Sequence, residues 1–179
     1  MQRLHSVYLL ETVPLLKEKF LYRNNHEVPK MVKIVVSRGL DESCQSTKIL
    51  ETLVNEINLI TGQFPITTRS KKSIATFKLK ENMPVGIFLT LRGKKMYAFL
   101  DRLINLVLPR IRDFQGLSRN SFDNFGNYTL GLREQLMFPE IEFDNVIKSK
   151  GLSISLITNC KNKEESIFLL MQLGFPLNS

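Results

Sequence analysis

Hydrophobic residues three and four positions apart predict four helices, at residues 4–15, 49–60, 96–107 and 163–173. Pro14 lies inside the first and disturbs it, because proline has no backbone donor. Gly62 is suited to end the second helix, and Pro109 ends the third. Asn162 can begin the last helix and Gly174 lies just past its end, so all four have signals that agree with the pattern.

Short runs rich in β-branched and aromatic residues predict strands at residues 31–36, 64–69, 85–92, 127–132 and 152–158. Helices and strands interleave without a glycine-rich phosphate-binding turn. This pattern favours an α+β fold, in which an antiparallel-rich sheet carries helices packed on one face and long functional loops. The other face of the sheet is then free to meet a partner. At 179 residues the chain is long enough for a core, and we predict a single domain over residues 1–179.

Residues 108–127 form the longest stretch without a helical or strand pattern. About 12–15 structureless residues are already uncommon in a compact domain, and longer stretches are usually functional or disordered. The aromatic residues Phe114, Phe122 and Phe125 argue against disorder. The segment is therefore predicted to be functional.

Two arginines of this segment, Arg110 and Arg112, alternate along the chain. In an extended conformation their side chains point to the same side. There they could bind phosphate, or they could form a structural ion pair with Asp113. The sequence leaves both interpretations open.

The positive charge of the chain is concentrated in thirty residues. The whole sequence carries a formal net charge of +8. Residues 66–95 hold eight basic residues and one acidic residue, Glu81, whereas the parts on either side are close to balanced. A soluble surface needs mixed charge rather than such a concentration, so the pattern favours a polyanionic partner, nucleic acid above all.

The side chains of this basic stretch are of the kinds that bind a phosphate backbone. Phe77 and Phe88 lie among them and could stack on unpaired nucleotides. The alternative is a solvated, lysine-rich edge strand that resists aggregation. The residues predicted to contact the RNA backbone are Arg69, Lys71, Lys72, Lys78, Lys94 and Lys95.

Residues suited to catalysis or metal binding are few. Glu140, Glu142 and Asp144 could hold a divalent cation, as in a metal-dependent RNA-processing enzyme. No second carboxylate set or catalytic histidine accompanies them, so we favour a solvated turn and predict no metal. Cys44 and Cys160 lack zinc spacing and are too few for a disulfide framework, so we expect two free thiols.

Several further classes of function are not indicated. No apolar run approaches the roughly 20 residues that span a bilayer. The N-terminus does not have the pattern of a signal or transit peptide, since Glu11 and Glu18 interrupt it. The histidines, His5 and His26, have no nucleophile motif beside them, and no phosphate-binding loop is present. We therefore expect no enzymatic activity, no cofactor, no small-molecule substrate and no membrane partner.

The segment from Leu108 to Glu140, LPRIRDFQGLSRNSFDNFGNYTLGLREQLMFPE, resembles a block of the bacterial-type ribosomal protein that carries 5S rRNA, protein five of the large subunit. Four further stretches resemble the same family in the same order: HEVPKMVKIVV, ITGQFPITTRSKKSIATFKL, MPVGIFLTLRG and GFP. The resemblance covers nearly the whole chain. It implies a structural protein of the large ribosomal subunit that helps to attach 5S rRNA to the central protuberance, without a catalytic role.

The resemblance also implies roles for particular residues. The positions that match those contacting 5S rRNA in the family are Ser37, Gln63 and Thr90, with Arg92 close by. The positions that match a loop directed towards the P-site tRNA are Ser73, Ile74, Ala75, Thr76 and Phe77. The positions on the face that meets the small-subunit head protein are Arg110, Arg112, Phe114 and Phe122. Large-subunit rRNA is a further expected partner.

Two positions depart from the family pattern. Ser37 stands where the family usually has asparagine, and it loses the paired donor and acceptor of an amide. Asp41 stands where the family usually has glycine. These departures affect the expected contact of residues 37–42 rather than the resemblance as a whole.

The segments DRLINLVLPRIRDFQG and LREQLMFPEIEFD are most similar to plastid-encoded members of the family. We therefore expect a ribosome of the plastid (chloroplast) stroma, with the bacterial cytoplasm as the alternative. A second functional class also stays open. In a protein-interaction module the aromatic loop would be the binding hot spot, and the basic stretch would serve only solubility.

Overall fold

The computed structural model of the chain describes residues 2–41, 46–142 and 150–178. The α-helices are α1 (Arg3–Val7), α2 (Val13–Phe20), α3 (Thr47–Thr61), α4 (Gly93–Arg102) and α5 (Lys163–Gln172). The strands are β1 (Met31–Gly39), β2 (Ile66–Arg69), β3 (Pro84–Leu91), β4 (Tyr128–Leu132) and β5 (Leu152–Thr158). Shorter turns are π-helical at Tyr8–Thr12 and Leu103–Val107, and 3₁₀-helical at Ala75–Phe77, Leu108–Arg110, Arg119–Ser121 and Gln135–Met137.

The strands of the described chain form one antiparallel sheet in the order β2-β3-β1-β5-β4, with helices packed against it. The register of β2 and β3 places Ile66 opposite Phe88 and Thr68 opposite Gly86. This architecture confirms the predicted α+β class. The β2 strand begins two residues later than predicted, because Pro65, which has no N–H, lies just before it.

The chain is divided into two compact units. The first comprises Met1–Ile34, Leu91–Leu130 and Ser155–Ser179, and the second comprises Val35–Thr90 and Gly131–Ile154. Four strands, β1, β3, β4 and β5, contribute residues to both units. A single domain over residues 1–179 therefore stays a prediction.

In the first unit, α1 packs on α4 and α2 packs on α5. Burial of the ring of Tyr128 completes this core. Its edge-to-face partners are Phe122 and Phe175, with ring centroids 4.6 and 5.3 Å away. Each fully buried side chain of this size contributes about 1.5–3 kcal/mol by leaving water.

Both long helical stretches of the first unit contain a π-helical turn shortly before a proline. The turn at Tyr8–Thr12 precedes Pro14, and the turn at Leu103–Val107 precedes Pro109. Proline has no N–H and its ring crowds the carbonyl four residues earlier, so the regular hydrogen-bond ladder cannot continue through it. The predicted disturbance of the first helix near Pro14 is thus confirmed. The helix changes to a π-helical turn, and the α-helical conformation resumes at Val13 as α2.

In the second unit, α3 buries one apolar face formed by Leu53, Ile57 and Ile60. The helix ends as predicted at Gly62, which has a φ of +67° and donates its N–H to the carbonyl of Asn58. Glycine takes this left-handed conformation without the clash that a Cβ would cause.

A tight turn at residues 123–127 joins the irregular segment to β4. The Asp123 carboxylate accepts the backbone N–H groups of Phe125 and Asn127 at 3.0 and 2.6 Å, and the Asn127 side chain at 2.8 Å. Burial raises the pKa of Asp123, but these hydrogen bonds to the charged form outweigh it and leave the pKa below its usual value. The turn is therefore held by an ionised carboxylate.

Gly126 lies at the end of this turn with a φ of +77°. Its carbonyl accepts the hydroxyl groups of Thr158 at 3.1 Å and Ser166 at 2.5 Å. A Cβ at this position would lie 2.9 Å from the Cβ of Ser166 and 3.1 Å from the Cβ of Cys160. No side chain fits there without displacing its neighbours.

We predict that Gly126→Ala lowers the free energy of unfolding by about 2–3 kcal/mol, because it adds a clash to an unfavourable backbone conformation. Urea denaturation followed by circular dichroism measures this change. Gly131→Ala is the matched control, since a Cβ at Gly131 meets nothing within 4 Å. Equal stability of the two variants would contradict the packing of this turn.

Candidate nucleic-acid interface

In the second unit, β3 has one buried and one more exposed side. Ile87 and Leu89 are buried, whereas Gly86, Phe88 and Thr90 are only partly so. Successive side chains of a strand point to opposite faces of the sheet. Gly86, Phe88 and Thr90 therefore share the more exposed face, which includes one of the positions predicted to contact 5S rRNA.

The neighbouring strand β2 extends this face. Ile66 and Thr68 lie directly opposite Phe88 and Gly86, and directly opposed residues project to the same side. The Thr68 hydroxyl donates to the Gly86 carbonyl at 3.0 Å. A Cβ at Gly86 would lie 3.1 Å from the Thr68 hydroxyl oxygen and 3.2 Å from the Arg38 carbonyl, so glycine leaves room for the strands on both sides.

On the other side of β3, the strand β1 contributes Ser37. Its neighbours Val36 and Arg38 are buried, and Ser37 itself is half-buried. Ser37 therefore points to the face that Thr90 occupies on β3, the adjacent strand. We call this surface of the second unit the open face; it is made by Ser37, Ile66, Thr68, Gly86, Phe88 and Thr90.

Gln63 lies at the edge of the open face in a fixed orientation. Its side-chain Nε2 donates to the Thr90 carbonyl at 3.1 Å. A carbonyl can only accept, so the amide nitrogen must face Thr90 and the amide oxygen is directed elsewhere, as an acceptor. The backbone before it is held by Thr61, whose hydroxyl donates to the Ile57 carbonyl at 2.7 Å. The structure thus brings Gln63 and Thr90 into contact and places Ser37 on the same face.

Arg92 lies in the first unit, where it is the residue before α4. It is exposed, as are Lys94 and Lys95 in the first turn of this helix, and no acidic residue lies in that turn. Cations at a helix N-terminus oppose the helix dipole and are unfavourable there. Since these residues do not stabilise the helix, the cluster suits an anion such as phosphate.

The basic residues after β2 form an ordered hairpin extension at residues 69–83, which we call the finger. Ile74 and Leu79 exchange two backbone hydrogen bonds, at 2.9 and 3.1 Å. The Ser70 hydroxyl donates to the Lys80 carbonyl at 2.5 Å. All residues from Lys71 to Lys78 are exposed. The finger is therefore a hydrogen-bonded hairpin whose basic residues are exposed to solvent.

The five residues predicted to approach tRNA, Ser73 to Phe77, lie at the tip of the finger. The Ser73 hydroxyl oxygen accepts the N–H of Glu81, and Ala75–Phe77 form a 3₁₀ turn. Lys78 follows in the left-handed conformation, with a φ of +50°. The pairing of Ile74 with Leu79 closes this tip.

The segment 108–127 differs from its prediction in one respect. Arg110 and Arg112 are exposed and form no ion pair with Asp113 within the described residues, and Phe114 is half-buried. Phe122, which was predicted to lie on the intersubunit face, is instead buried and packs against the ring of Tyr128. The exposed ring of this segment is Phe125, which is held by the turn at Asp123.

The metal-binding alternative gains no structural support. No group of three His, Cys, Asp or Glu residues that could hold a metal occurs within the described ranges. Asp144 and Cys44 lie outside the described residues, whereas Glu140 and Glu142 lie within them. Cys160 is a free, buried thiol, and burial raises its pKa. No described helix is long and apolar enough to cross a membrane.

A buried polar network, which the sequence analysis missed, lies on the other side of β1 from Ser37. Arg38 is fully buried and donates from Nη1 to Glu56 Oε2 of α3 at 2.8 Å. The Gln135 amide donates to the same oxygen at 3.3 Å and accepts the Lys150 N–H at 2.6 Å. Lys150 also forms an ion pair with Asp41, one of the departures from the family pattern.

This network joins β1 to α3 and to both ends of the connection between β4 and β5. Gly151 lies beside it, and a Cβ there would come within 2.8 Å of the Leu132 carbonyl. Arg38 lies beyond the strand predicted at residues 31–36, so the sequence pattern did not indicate its burial. The partner Glu56 could not be identified from sequence, because it lies on a separate element.

Two family models match most of the chain. The model described as ribosomal protein L5 matches residues 24–80. The model described as the C-terminus of the same ribosomal protein family matches residues 84–177. The open face and residues 69–80 of the finger lie within the matched ranges.

Similar proteins match almost from end to end. The large ribosomal subunit protein uL5c of Euglena gracilis is 60% identical over 176 residues, which cover 98% of this chain and 98% of that protein. The protein uL5c of Stigeoclonium helveticum is 57% identical over 178 residues, which cover 99% of each chain. The protein uL5 of Microcystis aeruginosa is 58% identical over 175 residues, which cover 98% of each chain.

We predict that Glu56→Ala lowers the free energy of unfolding by about 3–5 kcal/mol, because it leaves the Arg38 guanidinium buried without its carboxylate. The double variant Arg38→Met/Glu56→Leu is expected to regain most of this loss, since it removes both charges from the core. Urea denaturation of the single and double variants measures the coupling. Strictly additive losses would contradict a buried pair.

Proposed function

The chain belongs to the ribosomal protein L5 family, and from this premise we propose that the open face of its second unit binds 5S rRNA. The family is a structural one of the large ribosomal subunit, so the chain is a ribosomal protein and the prediction that it is not an enzyme is confirmed. The metal-dependent RNA-processing enzyme is rejected on this ground. The proposal concerns the RNA that the chain binds and the residues that bind it.

The orientation of Gln63 is the observation that carries the proposal. Its amide nitrogen is engaged by the Thr90 carbonyl, so its oxygen is preset to accept from a ribose hydroxyl or a base amino group. The hydroxyl groups of Thr90 and Ser37 share this face and can both donate and accept. A preset acceptor beside two hydroxyl groups suits the 2′-OH groups and base edges of a folded RNA.

Glycine and an aromatic ring complete the chemistry of the open face. Gly86 carries no side chain, which leaves room for the Thr68 hydroxyl and the Arg38 carbonyl beside it. Phe88, two residues from both Gly86 and Thr90, offers an apolar surface for an unpaired base. Hydrogen bonding and stacking are thus available on one surface.

The exposed cations are proposed to bind the phosphate backbone of 5S rRNA and of large-subunit rRNA. In the first unit, Arg92, Lys94 and Lys95 form a cluster that a phosphate would neutralise. In the second unit the finger carries Arg69, Lys71, Lys72 and Lys78. These contacts supply affinity without reading sequence, and they weaken as salt rises.

The tip of the finger is proposed to approach the P-site tRNA. Ser73, Ile74, Ala75 and Thr76 are uncharged and exposed, so they suit close approach to a nucleic-acid backbone. Phe77 is exposed at the same tip and can stack on a base. The closed backbone of the finger limits the entropy lost on binding.

The segment 108–127 is proposed to meet a protein of the small-subunit head. Arg110, Arg112 and Phe114 provide cationic and aromatic contacts, and Phe125 adds an exposed ring on a fixed turn. Exposed aromatic and arginine side chains are the types that dominate protein interfaces. The protein-interaction hypothesis is thereby retained for this segment alone.

The comparisons support the plastid ribosome as the place of action, and we propose a position at the central protuberance of its large subunit. The uL5c proteins of Euglena gracilis and of green algae are 54–60% identical to the chain. Two cyanobacterial uL5 proteins are similar at 58% and 56%, which leaves the bacterial cytoplasm as the alternative. The same RNA chemistry is proposed in either setting.

We predict that Gln63→Ala weakens binding to isolated 5S rRNA about tenfold, because the RNA loses the preset acceptor. Its dependence on salt should stay unchanged, since no phosphate contact is removed. Electrophoretic mobility shifts with 5S rRNA and an unrelated RNA hairpin measure affinity and selectivity. If Gln63→Ala and the unmodified chain prefer 5S rRNA over the hairpin to the same degree, Gln63 does not contribute to the recognition of 5S rRNA.

The charge-reversed variant Lys71→Glu/Lys72→Glu should behave in the opposite way. Loss of two phosphate contacts lowers the magnitude of the log–log salt slope by about 0.7–0.9 per contact while preference for 5S rRNA is kept. Binding measured over a range of KCl concentrations gives the slope. Equal losses of selectivity in both variants would contradict the separation of the open face from the finger.

A further inference from the structure

A cleft of about 420 Å³ lies between α3 and β2 in the second unit, outside the open face. The cleft is open to solvent, since Phe64 in its lining is exposed. Its lining combines an aromatic ring, two aliphatic side chains, an amide, a carboxylate and a hydroxyl. The lining residues are Leu50, Glu51, Val54, Asn55, Phe64 and Thr67.

The helix side of the cleft has an apolar and a polar strip. Leu50 and Val54 are four residues apart on α3, and so are Glu51 and Asn55, so each pair lies one above the other on the helix surface. Glu51 and Asn55 are exposed, whereas Val54 is buried. A flat heteroaromatic ring with polar edges matches this division better than an aliphatic chain does.

Phe64 forms the opposite wall and is 68% exposed. Its backbone is restricted by the buried Pro65, which disfavours a helical conformation for the residue before it. A large apolar ring that a restricted backbone keeps in water is available for a partner at little entropic cost.

The cleft is continuous along the chain with the proposed 5S rRNA site. Gln63, whose amide is fixed by the Thr90 carbonyl, directly precedes Phe64. Consecutive Cα atoms are about 3.8 Å apart, so an RNA strand that contacts Gln63 lies close to the Phe64 wall of the cleft. Glu51 makes the cleft unsuitable for a phosphate group, since two anions would repel. A base, rather than the backbone, fits the chemistry.

We propose that this cleft binds one unpaired nucleobase of the RNA that occupies the open face. The base stacks on Phe64, and its exocyclic amino group donates to the Glu51 carboxylate, which can only accept. Asn55 offers both a donor and an acceptor to the remaining edge of the base. This inference rests on the proposed binding of 5S rRNA and names a base pocket beside it.

Tryptophan fluorescence tests the pocket directly, because the chain contains no tryptophan. Phe64→Trp introduces a single indole into the cleft. Leu59→Trp is the matched control, since Leu59 is 61% exposed on α3 but does not line the cleft. Each variant is titrated with 5S rRNA, while anisotropy of dye-labelled 5S rRNA reports binding independently.

We expect saturable quenching of Phe64→Trp with the midpoint that anisotropy gives, and little change in Leu59→Trp. Binding without quenching of Phe64→Trp would overturn the pocket and leave the 5S rRNA proposal intact. Equal quenching of both variants would also overturn it, because it would show a nonspecific effect of nearby RNA. Failure of the unmodified chain to bind 5S rRNA would overturn both proposals.

The occupant of the cleft could be a nucleobase or an apolar protein segment. The affinities of Phe64 variants for 5S rRNA distinguish the two. Phe64→Tyr keeps a stacking face and should keep the affinity for 5S rRNA within about twofold. Phe64→Leu keeps apolar area but loses the π-face, and it should weaken binding about tenfold. If Phe64→Leu binds 5S rRNA as tightly as the unmodified chain, no base stacks at this position.

Discussion

The alternation of side chains along β1 and β3 is the constraint on which the candidate interface depends. Val36, Arg38, Ile87 and Leu89 must be buried together, so the residues between them are forced to the opposite face. Ser37 and Thr90 reach the open face for this reason and not through any contact of their own. A slip of one residue in either strand would bury the side chains that are proposed to contact RNA and expose the core.

Most of the excess positive charge lies on the surface, where it costs the folded state little stability. The basic residues of the finger lie on an exposed hairpin whose backbone is closed by hydrogen bonds. The lysines that begin α4 oppose its dipole, a cost that a bound phosphate would reverse. In contrast, the charged pair inside the second unit, Arg38 with Glu56, is buried and matched. The exposed charges thus lie on the surface, and the buried ones hold elements together.

Most of the fold followed from local patterns. The periodic apolar residues of α3, its end at Gly62 and the strand β5 were predicted correctly, because each depends on interactions within a few residues. The resemblance supplied Ser37, Gln63 and Thr90 as site residues, and the structure explains their placement without testing their role. Phe122 shows the opposite case, since an aromatic residue in an irregular segment gives no local sign of whether it is buried.

The sequence by itself determined the α+β class, the concentration of positive charge in residues 66–95 and the membership of a ribosomal protein family. Only the tertiary structure decided the orientation of the Gln63 amide, the pairing of Arg38 with Glu56 and the cleft beside Phe64. The physical reason is the range of the interactions. Helix and strand periodicity is set by near neighbours, whereas a hydrogen-bond partner or a cavity wall comes from a distant part of the chain that folding alone brings close.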